Sequence, residues 1–261
     1  MVSSYLMFFL VLGFVASLTT PTPHQNFGGG QKTISPNPWL LGIILILFIF
    51  SFFRFIIQPL KTDYYVIATL RAPPASEERL NLYQKTLEAS PLGKYQIREF
   101  FGQTALQFAQ SEEVKEVSAE NFKKELDFVI EELEKSLKES PLDFRSHLKL
   151  GQIYNVYAVL IDQAKIFEAE RVLTKAVELS PTNQQGYWAL AQTRLYQGRP
   201  EEALSLAEKA IALEPKLFQS HRIAIQIAKI MGDYDLAKEK AEQAIEINPE
   251  WEPELRQILE E

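Results

Sequence analysis

The sequence predicts an all-α protein, in which N-terminal transmembrane helices are followed by an α-solenoid of helix–turn–helix repeats. Three observations predict this fold class. Residues 39–57 form a run of 19 residues that is apolar except for Ser51 and Arg54. Prolines recur along the rest of the chain at a spacing that settles at 34 residues, and alanines follow the same period. A fixed period of this length is typical of stacked helical repeats.

The charge is divided unevenly between the two ends of the chain. Residues 1–60 contain no Asp or Glu, and their only basic side chains are Lys32 and Arg54. The remaining residues hold 25 basic and 34 acidic side chains, a net charge of −9. This acidic balance argues against a nucleic-acid partner, which requires clustered positive charge. The absence of cysteine excludes disulfides, thiolate metal sites and cysteine nucleophiles.

The first element is the apolar segment of residues 1–18, which contains SYLMFFLVLGFVASL. We expect a transmembrane helix here. Two alternatives stay open: a cleaved signal peptide, although no Lys or Arg precedes the segment, and the tail of a longer membrane domain. Residues 19–38 follow as a polar loop, because their Pro, Gly and Asn content is typical of irregular structure.

The second apolar element, residues 39–58, is predicted to be a transmembrane helix in contact with membrane lipid. A bilayer core about 30 Å thick needs about 20 helical residues. Trp39 lies at one interface, and Arg54 is close enough to the other to extend its guanidinium into water. The alternative is a buried core helix. It is disfavoured because no other segment of the chain could surround a helix that is apolar on all sides.

Basic residues near the span predict its orientation. The loop before it has only Lys32, whereas Arg54, Lys61, Arg71 and Arg79 lie on the other side. By the positive-inside rule, we expect an integral protein of the bacterial cytoplasmic membrane with the repeats in the cytoplasm.

Proline marks the end of each repeat because it cannot continue a helix. The punctuating prolines, spaced by 50, 40, 34 and 34 residues, are Pro91, Pro141, Pro181, Pro215 and Pro249. Two alanine columns share the 34-residue period: Ala169, Ala203 and Ala237, then Ala176, Ala210 and Ala244. Each unit therefore contains two helices, with a turn glycine such as Gly198 or Gly232 between them and small residues where the helices approach.

Over residues 143–249 this pattern resembles the tetratricopeptide repeat (TPR) family, with units 143–182, 183–216 and 217–250. The matching columns are Leu150, Gly151, Tyr154, Ala169, Ala176 and Pro181; Tyr187, Leu190, Gly198, Ala203, Ala210 and Pro215; and Gly232, Tyr234, Ala237, Ala244 and Pro249. The first unit has six extra residues and no turn glycine, so we expect a longer helix pair there. Residues 61–142 are predicted to form divergent helical hairpins, and residues 251–261 a capping helix.

No catalytic, cofactor-binding or metal-binding grouping is predicted, and we expect a protein that is not an enzyme. The three histidines, His24, His147 and His221, are far apart in sequence. His147 and His221 occupy the same column of their repeats, which indicates a packing role. The glycines of residues 28–30 lack the lysine and the strand–helix context of a phosphate-binding loop.

The resemblance implies that the first helix of each repeat lines a concave groove that binds a protein or peptide partner. Aligning the units places Gln152, Gln192 and Gln226 in one column of that helix. The neighbouring groove candidates are Arg145, Asn155, Trp188, Tyr196, Arg222 and Lys229. Amides, aromatics and cations can bind an extended backbone, although these residues could equally face solvent. Leu148 occupies a lysine position of the family's terminal-carboxylate clamp, so that specificity is not carried over.

The layout of two apolar segments, a loop and repeats also resembles the C-terminal region of bacterial O-antigen ligase/polymerase-like membrane proteins. The catalytic residues of those enzymes belong to regions with no counterpart in this sequence. Three hypotheses follow. The protein is a membrane-anchored TPR scaffold linked to envelope polysaccharide assembly, an accessory tail or fragment of such a glycan transferase, or an exported soluble TPR protein.

Overall fold

The computed structural model describes residues 38–90 and 93–260. The predicted apolar segment of residues 1–18, and the loop as far as residue 37, lie outside this part of the chain. Within it, every regular element is helical, which confirms the all-α prediction for these residues. They divide into two units, one containing residues 38–71 and 82–90 and the other residues 72–81 and 93–260.

In the described part of the first unit, residues 38–71 form one long helix. Helix α1 (Pro38–Phe52), a π-helical turn (Phe53–Ile57) and helix α2 (Gln58–Arg71) follow one another without a break. From Leu41 to Arg71 this helix has 31 residues and is long and apolar enough to cross a membrane by length and composition. It continues past the predicted span of residues 39–58. The Arg54 guanidinium, in the π-helical turn, donates a hydrogen bond to the Gln58 side-chain oxygen.

Helix α3 (Glu77–Ala89) comes next, and the second unit continues as a series of helical hairpins. Its helices are α4 (Lys94–Ala109), α5 (Ala119–Glu139), α6 (Phe144–Leu160), α7 (Ile166–Leu179), α8 (Gln184–Tyr196), α9 (Pro200–Leu213), α10 (Phe218–Ile230), α11 (Tyr234–Ile247) and α12 (Glu252–Glu260). Each helix packs on the next, and the first helices of successive hairpins also touch, α4 with α6, α6 with α8 and α8 with α10. This is the stacking pattern of an α-solenoid.

A recurring hydrogen bond fixes the junctions between hairpins. The His147 ring bonds the Pro141 carbonyl through Nε2 at 2.9 Å, and the His221 ring bonds the Pro215 carbonyl at 2.8 Å. Tyr187, in the same column, donates its hydroxyl to the Pro181 carbonyl at 3.0 Å. These bonds give His147 and His221 a structural role in the junctions that follow each proline.

The six extra residues of the first TPR-like unit lengthen one helix rather than two. Helix α6 has 17 residues, whereas α8 and α10 have 13 each. Helix α7 has 14 residues, the same number as α9 and α11. The expectation of a longer helix pair is therefore right only for α6. The remaining insertion forms the 3₁₀ turn Gln163–Lys165, which replaces the glycine turn of the other repeats.

Helices α4 and α5 form a hairpin with the geometry of a further repeat. Ser136 is buried five residues before Pro141, as Ala176 is before Pro181. A Cβ on Gly102 would lie 3.5 Å from a methyl carbon of Leu133, and one on Gly151 would lie 2.3 Å from Cγ of Leu173. In both hairpins a glycine of the first helix therefore faces a leucine of the second at close range. At the other end, α12 buries Leu255 and Ile258 against the last hairpin.

A buried carboxylate of α5 binds the segment that contains Ala75 and Arg79, which precedes the hairpins. The Glu125 side chain of α5 has no exposed surface and lies 3.3 Å from Nε of Arg79. The same carboxylate accepts a 2.7 Å hydrogen bond from the backbone N–H of Ala75, whose φ is +53°. Glu125 therefore stabilises a left-handed backbone conformation, which is unfavourable for residues other than glycine, by satisfying its amide.

Candidate ligand groove

A groove of about 420 Å³ lies along the first helices α4, α6 and α8 of the second unit. Its apolar lining comes from Leu106 of α4, Phe144 and Leu148 of α6, and Trp188 of α8. The Trp188 indole donates a 3.1 Å hydrogen bond to the Ser220 hydroxyl, which fixes the ring while leaving it partly exposed. A fixed aromatic side chain beside apolar surface is typical of an anchor for a bound segment.

The middle helix contributes a polar stripe to the groove. Arg145, Lys149 and Gln152 are spaced by four and three residues, so they project from one face of α6. Arg145 is exposed, whereas Lys149 and Gln152 are partly buried. The groove thus combines an apolar surface with a cationic and amide stripe.

Lys149 is held in an unusual environment for a lysine. Its ammonium donates a 2.6 Å hydrogen bond to the Gln103 side-chain oxygen on α4. No carboxylate of residues 38–90 or 93–260 forms an ion pair with it. Burial lowers the pKa of the Lys149 ammonium, and the negative charge of Glu99 partly opposes that shift. The ammonium is therefore partly desolvated beside a neutral partner.

Gln152 brings an unsatisfied acceptor to the same stripe. Its side-chain oxygen Oε1 is buried and has no hydrogen-bond partner among the described residues. Buried polar atoms in folded proteins are almost always paired with protein groups, ordered water or a ligand, so this oxygen offers an acceptor position beside the groove. The other two glutamines of the predicted column lie outside this cavity. Gln192 donates to the Tyr196 hydroxyl at 2.8 Å, and Gln226 is exposed.

The structure corrects the assignment of Asn155 to the groove surface. Its side chain is 1% exposed. Its amide donates to the Ala189 carbonyl at 3.1 Å, and its oxygen accepts from the Thr193 hydroxyl at 2.9 Å. Asn155 therefore joins α6 to α8 inside the stack, because the polar groups of α8 lie opposite it.

The remaining candidates occupy other parts of the solenoid. Tyr196 lines two neighbouring cavities of about 350 and 430 Å³ at the ends of α6 and α8. Arg222 donates to the Gln219 side chain at 3.1 Å, and Lys229 donates to the Ile258 carbonyl near the C-terminal end of α12. The cavity on α4, α6 and α8 thus brings together three predicted residues: Arg145, Gln152 and Trp188.

Sequence reasoning missed the groove residues Glu99, Gln103 and Lys149. The sequence does contain a pattern that could have indicated Gln103 and Lys149. Gln103 follows Gly102 as Gln152 follows Gly151, so the glutamine column begins one hairpin earlier. Lys149 shares a helix face with Arg145 and Gln152 by its spacing. The irregular spacing of the first prolines obscured the α4–α5 hairpin, and with it this wall of the groove.

Comparison with known proteins identifies the repeats. Residues 184–217 and 221–250 match the family model of the tetratricopeptide repeat. No curated protein matches the chain. The solved structure of TTC0263, a thermophilic TPR protein of Thermus thermophilus, is similar with a TM-score of 0.53 and 15% identity, covering 77% of this chain and 94% of that one.

Two further solved structures are similar at lower scores. MamA from Desulfovibrio magneticus RS-1, residues 41 to its end, has a TM-score of 0.47 and 18% identity, with 73% of this chain and 96% of that one covered. YrrB, described as a TPR protein with an unusual peptide-binding site, has a TM-score of 0.46 and 18% identity, with 76% and 86% covered. The helical hairpins, the 34-residue period and the family match together identify a TPR-like α-solenoid, whose residues 184–217 and 221–250 are tetratricopeptide repeats.

Proposed function

We propose that this protein is a membrane-anchored scaffold that binds an extended segment of a partner protein in the groove on α4, α6 and α8. The single observation that carries the proposed binding is the buried acceptor of Gln152, which lacks a partner among the described residues in a groove lined by Trp188 and Leu148. An extended peptide supplies both requirements, because its backbone N–H groups are donors and its side chains cover apolar surface. A TPR fold is suited to such a scaffold role, and we propose binding rather than catalysis.

The first prediction concerns Trp188. Replacing it with Ala is expected to weaken binding of groove ligands about tenfold, because aromatic anchors in the centre of an interface contribute much of its affinity. The measurement uses the detergent-solubilised full chain and a random library of blocked nonapeptides, with fluorescence anisotropy of the selected sequences.

Tyr234→Ala is the matched control, since Tyr234 is an exposed aromatic residue that does not line this groove. It is expected to leave the affinity unchanged. Selection of no peptide at all by the wild-type chain, or equal binding by Trp188→Ala, would contradict the proposed function.

The second prediction concerns membrane anchoring, which we infer from the helix Leu41–Arg71. Its apolar side chains are exposed, Ile46 by 67% and Phe50 by 64%, and water would be an unfavourable environment for so much contiguous apolar surface. The protein is expected to stay with membranes after an alkaline wash and to be released by detergent. A double substitution, Ile46→Asp with Phe50→Asp, should shift it to the wash, since each acid opposes insertion.

Release of the unaltered chain by the alkaline wash would contradict anchoring and favour an exported protein with a cleaved signal. Sidedness is tested in the same cells. With the repeats in the cytoplasm, a cysteine introduced at exposed Glu250 resists an impermeant thiol reagent until the cells are opened.

We further propose that the partner acts in envelope polysaccharide assembly. The support for it is the resemblance of the layout of two apolar segments, a loop and repeats, and copurification with no protein of that process would count against it.

A further inference from the structure

We propose that the groove selects a segment with an acidic side chain, whose carboxylate binds the Lys149 ammonium in place of the Gln103 amide. This inference rests on the proposed function and names the chemistry of its ligand. Its central residues, Lys149 and Gln103, belong neither to the family match nor to the sequence-based candidates. Three observations on the groove carry it.

The first observation is that Lys149 is held in place rather than freely mobile. Its side chain crosses Gly102 of α4 so closely that a Cβ there would lie 2.6 Å from Cγ of the lysine. The stem is thereby packed between α4 and α6, and the ammonium is fixed at Gln103 inside the groove. A lysine positioned in this way loses little side-chain freedom when it binds a ligand, unlike an extended surface lysine.

The second observation is the charge that surrounds this ammonium. Its hydrogen-bond partner, Gln103, is neutral. Among the described residues Glu99 is the one acidic side chain that lines the cavity, and it forms no ion pair with Lys149. Arg145, one helical turn away, is exposed and has no hydrogen-bond or ion-pair partner among residues 38–90 and 93–260. Two cations on one face of α6 thus lack a paired carboxylate among the described residues, and a carboxylate would form charge-assisted hydrogen bonds with both.

The third observation places a second contact beside the first. The unpartnered oxygen of Gln152 lies three residues after Lys149 on the same helix face. An acidic residue in an extended segment carries a side-chain carboxylate and backbone N–H groups within a few ångströms of each other. It can therefore satisfy the Lys149 ammonium and the Gln152 acceptor together, while its neighbours cover Leu148 and Trp188.

The carboxylate is assigned to a side chain rather than to a chain terminus. Polar side chains line the groove on both sides of Lys149, with Gln110 at the end of α4 and Gln185 near the start of α8. A segment that passes through the groove can use both, whereas a segment that ends at Lys149 reaches only one. Peptides blocked at both ends distinguish a side-chain carboxylate from the carboxylate of a chain terminus.

The test is a positional-scanning library of nonapeptides, acetylated and amidated at their ends, bound to the full chain in detergent. Wild type is expected to favour Asp or Glu at one position by about tenfold. Lys149→Met, which keeps the packed stem, should abolish that preference, and Lys149→Glu should replace it with a preference for Lys or Arg. Glu99→Gln should bind the acidic peptide more tightly, because it removes a competing negative charge. Lys175→Met on α7, outside the cavity lining, should leave the preference unchanged.

A spectroscopic measurement accompanies the library. With ¹³C at the lysine ε-carbons, the Lys149 signal is expected to titrate at a higher pH when the acidic peptide is bound, since a carboxylate favours the charged ammonium. Peptides that bind without a preference for acids would overturn this proposal and leave the proposed function standing. Selection only of peptides with a free C-terminal carboxylate would overturn the side-chain assignment. Absence of any bound peptide would refute the proposed function itself.

Discussion

Glu125→Ala is expected to lower the free energy of unfolding by about 3–5 kcal/mol, because it removes one partner of a buried ion pair. Arg79, which is 5% exposed, would lose this carboxylate and border an empty space where it stood. The Ala75 amide would lose its acceptor as well, while its backbone remained in a left-handed conformation. The loss of the buried ion pair and the cost of an unsatisfied amide therefore add in one variant.

Urea unfolding followed by far-ultraviolet circular dichroism measures this change on the detergent-solubilised chain. Glu120→Ala is the control on the same helix, since Glu120 pairs with Lys124 at 3.2 Å on the surface, with 78% of its side chain exposed. It should cost less than about 0.5 kcal/mol. Glu125→Gln should fall between the two, because an amide oxygen can still accept from Ala75. A Glu125→Ala variant as stable as Glu120→Ala would show that the buried pair contributes no stability.

The second large effect concerns the contact between Gly151 and Leu173. Leu173→Ala is expected to cost about 2.7–5 kcal/mol, because a fully buried leucine leaves a cavity. Gly151→Ala places a Cβ 2.3 Å from Cγ of Leu173, closer than any van der Waals contact. Its expected cost is about 1–3 kcal/mol of overpacking, reduced by up to about 1 kcal/mol through the better helix propensity of alanine.

The double variant tests whether these two effects share one contact. With Leu173 shortened, the new methyl of Gly151→Ala enters the space that the leucine leaves. The double variant should therefore be more stable than the sum of the single changes predicts, by about 1 kcal/mol or more. Gly151→Ala combined with Leu255→Ala, in α12, should be additive within about 0.5 kcal/mol. Additivity of the first pair would rule out the direct clash.

The repeats could be predicted because their packing requires particular residue types at regular positions in the sequence. Alanines at Ala169, Ala203 and Ala237 are fully buried where helices approach closely, and larger side chains would not fit there. Prolines end each second helix for an equally local reason. Features of this kind depend on one residue type at one position, so a periodic search finds them.

The groove depends on relations between helices, and these were only partly predictable. Asn155 is of a residue type that suits a groove and lies on the first helix of its repeat. It is buried because it hydrogen-bonds Ala189 and Thr193, which are 34 and 38 residues away. Lys149 belongs to the groove because Gly102 lets its stem pack against α4. The extent of the long helix was similarly hidden. Residues 58–71 are not uniformly apolar, yet the helix ends only at Arg71, just before two consecutive prolines.

The hydrogen bonds at the junctions bear on how the number of repeats can change. They join His147, Tyr187 and His221 to the proline carbonyls six residues earlier. Each bond is formed within a single junction. A duplicated segment that spans a junction therefore contains both the ring and the proline carbonyl that connect one hairpin to the next. Gain or loss of one 34-residue unit would then change the length of the solenoid without redesign of the neighbouring units. Histidine and tyrosine both form this bond, so the junction requires a ring that reaches the carbonyl with a polar atom rather than one residue type.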